Sequence, residues 1–218
     1  NYGNVIIDMK NMMSISVYML CISIANYLII TMIVDIYLMG MVCFSYAPKV
    51  WENRIILSKK NRIDIQTEYQ CSAYAAAYIL RNYGIPAVGT ELYSIIQGKM
   101  KSGYVYPKGL RNLLRSYGFE VTYCRGNMNA LKYEIRNGNP IIVMILVQKD
   151  KDWLHYVPVV GYDEHYVYLA ESLESLINCN EKYYNRKVEN VEFKKLWNTS
   201  MFRLPFYKNT YFRIRKQE

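Results

Sequence analysis

The sequence predicts an α+β domain preceded by one transmembrane helix. Three observations support this: an uncharged apolar run near the N-terminus, helix signals concentrated in residues 71–118, and strand-like runs that dominate from residue 119 onward. Helices followed by a mostly antiparallel set of strands are typical of the α+β class. The chain has 218 residues, of which 52% are apolar, so it is not disordered and can form one ordinary core.

Near the N-terminus, residues 12–34 form an uncharged apolar run of 23 residues. At about 1.5 Å per residue, this run crosses a hydrocarbon core of about 30 Å. The apolar stretch continues to about residue 46, so residues 1–47 are interpreted as a membrane segment, with a polar linker over 48–61 and the folded domain over 62–218. A buried hydrophobic helix and a cleaved signal peptide are the alternatives.

The formal charge of +9 is unevenly distributed along the chain. Residues 1–47 hold one basic and two acidic side chains, so residues 48–218 carry a net +10. Basic residues after the span, such as Lys49 and Arg54, favour a cytoplasmic domain by the positive-inside rule, with export as the alternative. Lys and Arg are dispersed and match no nucleic-acid-binding motif, so the lipid bilayer is an expected partner and nucleic acid is not.

Cysteine and histidine usage limits the possible chemistry. The five cysteines are odd in number, scattered and without a CxxC pair, which argues against a disulfide framework or a zinc ribbon. Two histidines are too few for a histidine-rich metal site. We therefore expect no metal and no cofactor.

Three helices are predicted in the first part of the domain. CSAYAAAYILRNYG is Ala-rich and ends at Gly84, which can adopt the left-handed conformation, so a helix is expected over 71–83. TELYSIIQ (90–97) begins with a capping threonine, and PKGLRNLLRSYG (107–118) begins with proline and ends with glycine. Cys71 therefore lies in the first turn of a helix.

After residue 118 the pattern changes to short runs rich in β-branched and aromatic residues. Strands are predicted in FEVTYC, IIVMILVQ, HYVPVVG, YVYLAE, MFRLPFY and TYFRIRK, and helices in NALKYEIRNG and VEFKKLW. HYVPVVG and YVYLAE flank a turn and form a predicted hairpin. Pro158 removes one ladder donor from this hairpin, which indicates an edge or a bulge.

Cys71, His155 and Glu171 are the candidate catalytic residues. The partial positive charge at a helix N-terminus favours a thiolate, and a nucleophilic thiolate needs a general base that a third group orients. If the hairpin turns symmetrically about Asp163, His155 faces Glu171 with their Cβ atoms roughly 5 Å apart. His165 falls near the turn and is interpreted as an ordinary exposed histidine.

The order of these residues resembles that of the bacteriocin-processing (double-glycine leader) peptidases and their stand-alone relatives, which are papain-like cysteine peptidases. QTEYQCSA, YPKGLRNLLRSYGFEV, HYVPVVGYDEHYVYLAES and NRKVENVEFKKLW carry the resemblance, which covers about residues 62–215. It implies a papain-like fold, with N-terminal helices packed on a mostly antiparallel sheet. The implied roles are nucleophile for Cys71, base for His155, third residue for Glu171 and oxyanion-hole donor for Gln66.

The sequence departs from the family's pattern at three points. Ser72 stands where Gly or Ala usually follows the cysteine. Glu171 and Ser172 stand where Asp, often followed by Pro, is usual. The family's glutamine often lies one position further ahead of the cysteine than Gln66 does, so Gln70 is an alternative oxyanion donor. None of these departures removes the cysteine and histidine.

The sequence therefore predicts a membrane-anchored cysteine endopeptidase that hydrolyses a peptide bond through a thioester acyl-enzyme. The resemblance implies a leader-peptide substrate cleaved after a pair of small residues. No ATP-binding module is evident in the sequence, so any export would need a separate transporter. A papain-like amidase or acyltransferase with the same dyad, and an inactive membrane-bound peptide-binding protein, are the alternatives.

Overall fold

The structure is a computed structural model that describes residues 2–148, 151–200 and 206–216, with side chains described in 12–147, 153–200 and 206–216. The chain divides into two compact units, Asn1–Leu38 and Met39–Glu218. All the candidate site residues belong to the second unit.

Helix α1 (Tyr2–Met39) makes up the described part of the first unit and ends one residue beyond it. The stretch Met12–Met39 of this helix has a mean hydropathy of 2.2. Its most apolar part is not buried against other residues, whereas the core helix of a soluble protein is mostly buried. By length and composition this helix can cross a membrane, and a signal sequence near an N-terminus has the same properties.

The second unit contains one sheet of eight described strands: β1 (Cys43–Phe44), β2 (Ile55–Ile56), β3 (Phe119–Arg125), β4 (Ile141–Gln148), β5 (Lys151–Tyr162), β6 (Tyr166–Leu169), β7 (Arg186–Glu189) and β8 (Thr210–Lys216). Their order is β1-β3-β8-β4-β5-β6-β7, with β2 also paired to β5. All described pairs are antiparallel except β1 with β3, which confirms the mostly antiparallel sheet. Most of the strand predicted in MFRLPFY, residues 201–205, lies outside the described residues.

The helices form where the local signals predict them. They are α2 (Cys71–Asn82), α3 (Gly89–Ile95), α4 (Pro107–Ser116), α5 (Met128–Arg136) and α6 (Asn190–Trp197). Gly84 follows α2 with a φ of +82°, a left-handed conformation that glycine adopts without steric cost. Pro107 is the first residue of α4, where its missing N–H removes no intrahelical bond.

Helices cover both faces of the sheet. In β4, Ile141, Val143 and Ile145 join one buried cluster with side chains of α5 and α6. Ile142 and Met144 point to the opposite face and are also buried. On that side of the core α2 packs against β5 and α4 against β3. Helix α2 and β5, which hold the predicted nucleophile and base, are therefore packed against each other.

The structure differs from the expectation over residues 48–61, the predicted polar linker. Val50 is buried in the main core, and Ile55–Ile56 pairs with β5 as strand β2. A two-residue strand carries no detectable periodicity, and the neighbouring Lys and Arg residues make the segment look solvated. The second unit therefore begins at Met39, well before residue 62.

The predicted register of the β5–β6 hairpin is wrong. A symmetric turn about Asp163 pairs Val159 with Val167, whereas the structure pairs Val159 with Leu169. The register shifts by a β-bulge just after Val159. Pro158, which has no N–H to donate, lies next to this bulge, as its position in the sequence indicated.

Candidate active site

Cys71 is the first residue of α2 and is 4% exposed. The helix is almost entirely buried because its alanines allow close packing, so its N-terminus is fixed against the sheet. The free amides of the first turn place partial positive charge next to the Cys71 sulfur.

His155 lies on β5, is 2% exposed, and lines the same cleft as Cys71, whose side chain interacts with the imidazole. Its Nε2 atom lies 2.7 Å from Oε1 of Glu171. Because Glu171 occupies Nε2, the Nδ1 atom of the ring remains to exchange a proton with the thiol. The three side chains thus form a continuous series of thiol, imidazole and carboxylate.

Glu171 is fully buried and has hydrogen-bond partners on both carboxylate oxygens. Oε1 also accepts from the backbone N–H of Leu173 at 2.8 Å, and Oε2 accepts from Nη1 of Arg186 at 2.7 Å. The side chain of Asn185 accepts from the backbone N–H of Glu171 at 2.7 Å and donates to its carbonyl at 2.8 Å. These bonds fix both the backbone and the carboxylate that orients His155.

The buried pair shifts both ionisation equilibria towards the charged forms. Burial alone lowers the pKa of His155, but the negative charge of Glu171 and hydrogen bonds to Cys71 and Glu171 outweigh burial and raise it to about 10. Burial raises the pKa of Glu171, but the His155 charge and hydrogen bond, Arg186 and the Leu173 amide outweigh burial and lower it to about 2. At neutral pH the arrangement therefore favours an imidazolium next to the sulfur, which is what a thiolate requires.

Gln66 is positioned by the residue that follows Glu171. Its backbone N–H donates to the carbonyl of Ser172 at 2.8 Å, and its Oε1 accepts from the Ser172 hydroxyl at 2.8 Å. The bond from Ser172 identifies Oε1 as the acceptor end of the Gln66 amide, so Nε2 is the donor end. Nε2 donates one hydrogen to the carbonyl of Glu68 at 2.6 Å and has a second hydrogen to donate.

A cleft of about 220 Å³ opens at these residues. It is lined by Gln66, Cys71 and His155 together with Tyr69, Tyr104, Trp153 and other apolar side chains. Gln70, the alternative oxyanion donor, is not among the described residues that line it. The cleft thus combines aromatic and aliphatic side chains with a thiol and an amide donor.

The structure brings Cys71, His155, Glu171 and Gln66 to one site. His165 is exposed beside the β5–β6 turn, away from the cleft. Sequence reasoning missed Asn185 and Arg186, because their contribution depends on β7 passing beside Glu171 and no spacing in the sequence shows this. Among the described residues, no group of three His, Cys, Asp or Glu side chains could hold a metal ion.

This combination of sheet, buried helix and cysteine-histidine pair defines a class of proteins: the fold is that of the papain-like cysteine peptidases. A putative C39-like peptidase from Bacillus anthracis is similar, with a TM-score of 0.59, 18% identity and coverage of 76% of this chain and 99% of that chain. The peptidase domain of Streptococcus ComA, a bifunctional ABC transporter involved in quorum sensing, has a TM-score of 0.56, 16% identity and coverage of 73% and 99%. A double-glycine motif protease from an AMS/PCAT transporter, solved with the leader peptide, has a TM-score of 0.50, 14% identity and coverage of 79% and 100%.

The sequence itself places the chain within this class. Residues 53–203 match the profile of the Peptidase_C39 like family, and the chain belongs to that family. A search of curated proteins gave no match.

Proposed function

We propose that this chain is a membrane-anchored cysteine endopeptidase. The observation that carries the proposal is the arrangement of Cys71, at a helix N-terminus, beside a buried His155 that is hydrogen-bonded to Glu171, with the cysteine and the histidine lining one cleft. A merely structural cysteine would have no need of a buried, carboxylate-oriented imidazole.

The geometry supports a two-step hydrolysis. Cys71 transfers its proton to Nδ1 of His155, and the sulfur attacks the scissile carbonyl carbon. The oxyanion accepts hydrogen bonds from the Cys71 N–H and from Nε2 of Gln66. The imidazolium returns the proton to the leaving amine as the C–N bond breaks, which leaves a thioester. A water molecule, deprotonated by His155, then hydrolyses the thioester and regenerates the thiol.

A leader peptide is the proposed substrate class. The double-glycine protease of the AMS/PCAT transporter was solved with the leader peptide, and the ComA peptidase domain belongs to a transporter. By analogy with the double-glycine protease we expect cleavage after a pair of small residues. A transporter is the proposed partner for export of the cleaved product.

The proposed location is a single-pass membrane protein anchored by Met12–Met39. The basic residues that follow the helix favour a cytoplasmic catalytic domain. Protease accessibility of the domain in intact cells tests the side: digestion from outside would show that the domain is exported.

Turnover of a peptide library by the full chain in detergent, with products identified by mass spectrometry, tests the activity. We expect Cys71→Ala to abolish cleavage and Cys179→Ala, a change at a free cysteine away from the cleft, to leave it intact. Equal rates for the wild type and Cys71→Ala would refute the peptidase proposal. Peptide binding without any thiol-dependent product would instead favour the inactive binding protein, and non-peptide amide products an amidase or acyltransferase.

A further inference from the structure

The segment that follows α1, residues 41–57, has an inner and an outer row of side chains. The inner row faces the sheet and includes Ser45, Ala47, Val50, Ile55 and Leu57. The outer row is exposed and consists of Met41, Phe44, Tyr46, Lys49, Trp51 and Arg54. Cys43, Pro48 and Asn53 are exposed as well, so the two rows do not alternate residue by residue.

The inner row fixes this segment to the folded unit. The Ser45 N–H donates to the carbonyl of Arg125 at 2.8 Å, and the Ser45 hydroxyl accepts from Tyr211 at 2.8 Å. Further along, the Leu57 N–H donates to the carbonyl of Val160 at 2.8 Å, and Val50 is buried in the core. The side chains of the outer row are therefore exposed although their backbone is held against the folded unit by hydrogen bonds and buried side chains.

The outer row is unusually apolar for a surface. Met41 is 71% exposed, Phe44 75%, Tyr46 95% and Trp51 76%. Four large apolar side chains within eleven residues of sequence form a concentration that a soluble surface rarely tolerates without a partner. Tryptophan and tyrosine are the residues enriched where a membrane protein meets the lipid headgroups.

Positive charge accompanies these aromatic rings. Lys49 lies over the Trp51 ring at 4.3 Å, and Arg125 lies over the Phe44 ring at 5.6 Å. The neighbouring acid, Glu52, is paired with Arg136 at 2.6 Å and adds no free negative charge. An apolar row flanked by basic side chains is complementary to an interface of acyl chains and anionic headgroups.

We propose that the outer row, residues 41–54, docks the catalytic unit on the lipid headgroup interface. Chain continuity supports the bilayer as the occupant, because the row begins two residues after Met39, where the apolar helix ends. The inference rests on the membrane span proposed for α1 and not on peptidase activity.

The Trp51 end of this docking surface, which leads into β2, lies near the opposite end of β5 from the candidate active site. The Phe44 end lies at the other edge of the sheet, where the neighbouring Cys43 is in register with Val157 through β3, β8 and β4. The segment meets β5 at Gly161 and Tyr162, whereas the cleft opens at His155. Six residues of strand at about 3.3 Å each separate the two ends by about 20 Å. Docking through the Trp51 end of the outer row would therefore leave the cleft open to peptides in the aqueous phase.

Two exposed tryptophans at the two ends of β5 provide the test. Trp51 belongs to the outer row, Trp153 lines the cleft and is 57% exposed, and the third tryptophan, Trp197, is 1% exposed. The full chain is reconstituted into phosphatidylcholine and phosphatidylglycerol vesicles whose acyl chains are brominated near the headgroup. Both leaflets carry bromine, so the result does not depend on which way the protein inserts.

The variants Trp153→Phe and Trp51→Phe leave one exposed tryptophan each. We expect the exposed-tryptophan emission of Trp153→Phe to be largely lost in brominated vesicles, and that of Trp51→Phe to be unchanged and quenched by acrylamide instead. Lys49→Gln combined with Arg54→Gln should weaken the quenching of Trp51 when phosphatidylglycerol is present. Cys71→Ala should give the wild-type result, which separates this inference from the catalytic proposal.

Three outcomes overturn the docking proposal. If Trp51 is shielded from acrylamide but not quenched by bromine, a protein, such as a second copy of this chain, covers the row. If Trp51 and Trp153 are quenched equally, the row has no special contact with lipid. If the protein does not float with the vesicles, both the span and the docking surface are refuted.

Discussion

Two fully buried polar residues of the candidate site differ in their hydrogen bonding. They are Glu171 on the side of the base and Ser72 on the side of the nucleophile. Both carboxylate oxygens of Glu171 accept hydrogen bonds, and its backbone is held by Asn185. The Ser72 hydroxyl has no hydrogen-bond partner among the described residues. The base side is thus determined by many polar contacts, whereas the nucleophile side depends on the packing of α2.

The turn before Cys71, on the nucleophile side, contains a strained backbone residue. Glu68 has a φ of +46°, a left-handed conformation that costs a non-glycine residue about 1–3 kcal/mol. Its carbonyl accepts from the Gln66 amide, so the strained residue helps to hold the proposed oxyanion donor. Polar contacts therefore stabilise the base side, whereas on the nucleophile side a strained backbone residue costs free energy and helps to position the proposed oxyanion donor.

Removing the charge of Glu171 should have the largest effect. Glu171→Gln leaves the Arg186 cation buried without a carboxylate, so we expect about 3–5 kcal/mol of stability to be lost. Activity should fall by about 10²–10⁴-fold because His155 loses its orienting anion. Urea unfolding and kcat/KM measure the two effects separately.

The double variant Glu171→Gln with Arg186→Met is the matched control. It removes both buried charges, so stability should recover while activity remains low. If activity recovered together with stability, Glu171 would act only as a structural ion-pair partner.

Gln66→Ala should lower kcat by about a hundredfold or more, with a much smaller change in KM, because an oxyanion donor acts mainly in the transition state. Gln70→Ala is the control, since Gln70 is not among the described residues lining the cleft. A larger loss for Gln70→Ala than for Gln66→Ala would reverse the assignment of the two glutamines.

Stability should depend on pH through the base side. The pKa of His155 is raised from 6.5 to about 10, so its contribution is complete below pH 6.5 and is lost as the pH rises towards 10. The pKa of Glu171 is lowered from 4.5 to about 2, so its contribution is present above pH 4.5 and is lost as the pH falls towards 2.

We therefore expect maximal stability between the two unfolded values, pH 4.5 and pH 6.5, in thermal unfolding followed by circular dichroism. The Glu171→Gln, Arg186→Met double variant should show a flatter profile on both sides. An unchanged profile in the double variant would show that other groups cause the pH dependence.

Ser72→Ala should have the smallest effect. It removes a buried hydroxyl without a described partner, so we expect stability to rise by about 1 kcal/mol and kcat/KM to stay within about twofold of the wild type. A loss of stability in chemical denaturation would show that the hydroxyl has a partner, and would weaken the contrast between the two sides.

Local signals made much of the fold predictable from the sequence. The alanine-rich run with its terminal glycine predicted α2, and the β-branched run IIVMILVQ predicted β4 over the same residues that the structure assigns. The short strands β1 and β2 could not be recognised, because two residues contain no period and their pairing depends on distant partners.

The site was predictable where chemistry and spacing agree. A symmetric hairpin suggested that His155 and Glu171 meet, and they do, although the bulge beside Pro158 makes that register wrong. The contact forms because Glu171 lies beyond the end of β6, where Arg186 and Asn185 hold it in place. A long-range contact of this kind depends on the path of β7, which no local pattern encodes.

The adjacent residues Glu171 and Ser172 have a joint consequence for the dynamics of the site. Glu171 holds the imidazole, and Ser172 holds both the backbone and the amide of Gln66. A local opening of this dipeptide would release the base and the oxyanion donor in one event. We therefore expect the amide hydrogens of Gln66 and Leu173 to exchange with solvent at a common rate, so that the site is either assembled or dismantled as a unit.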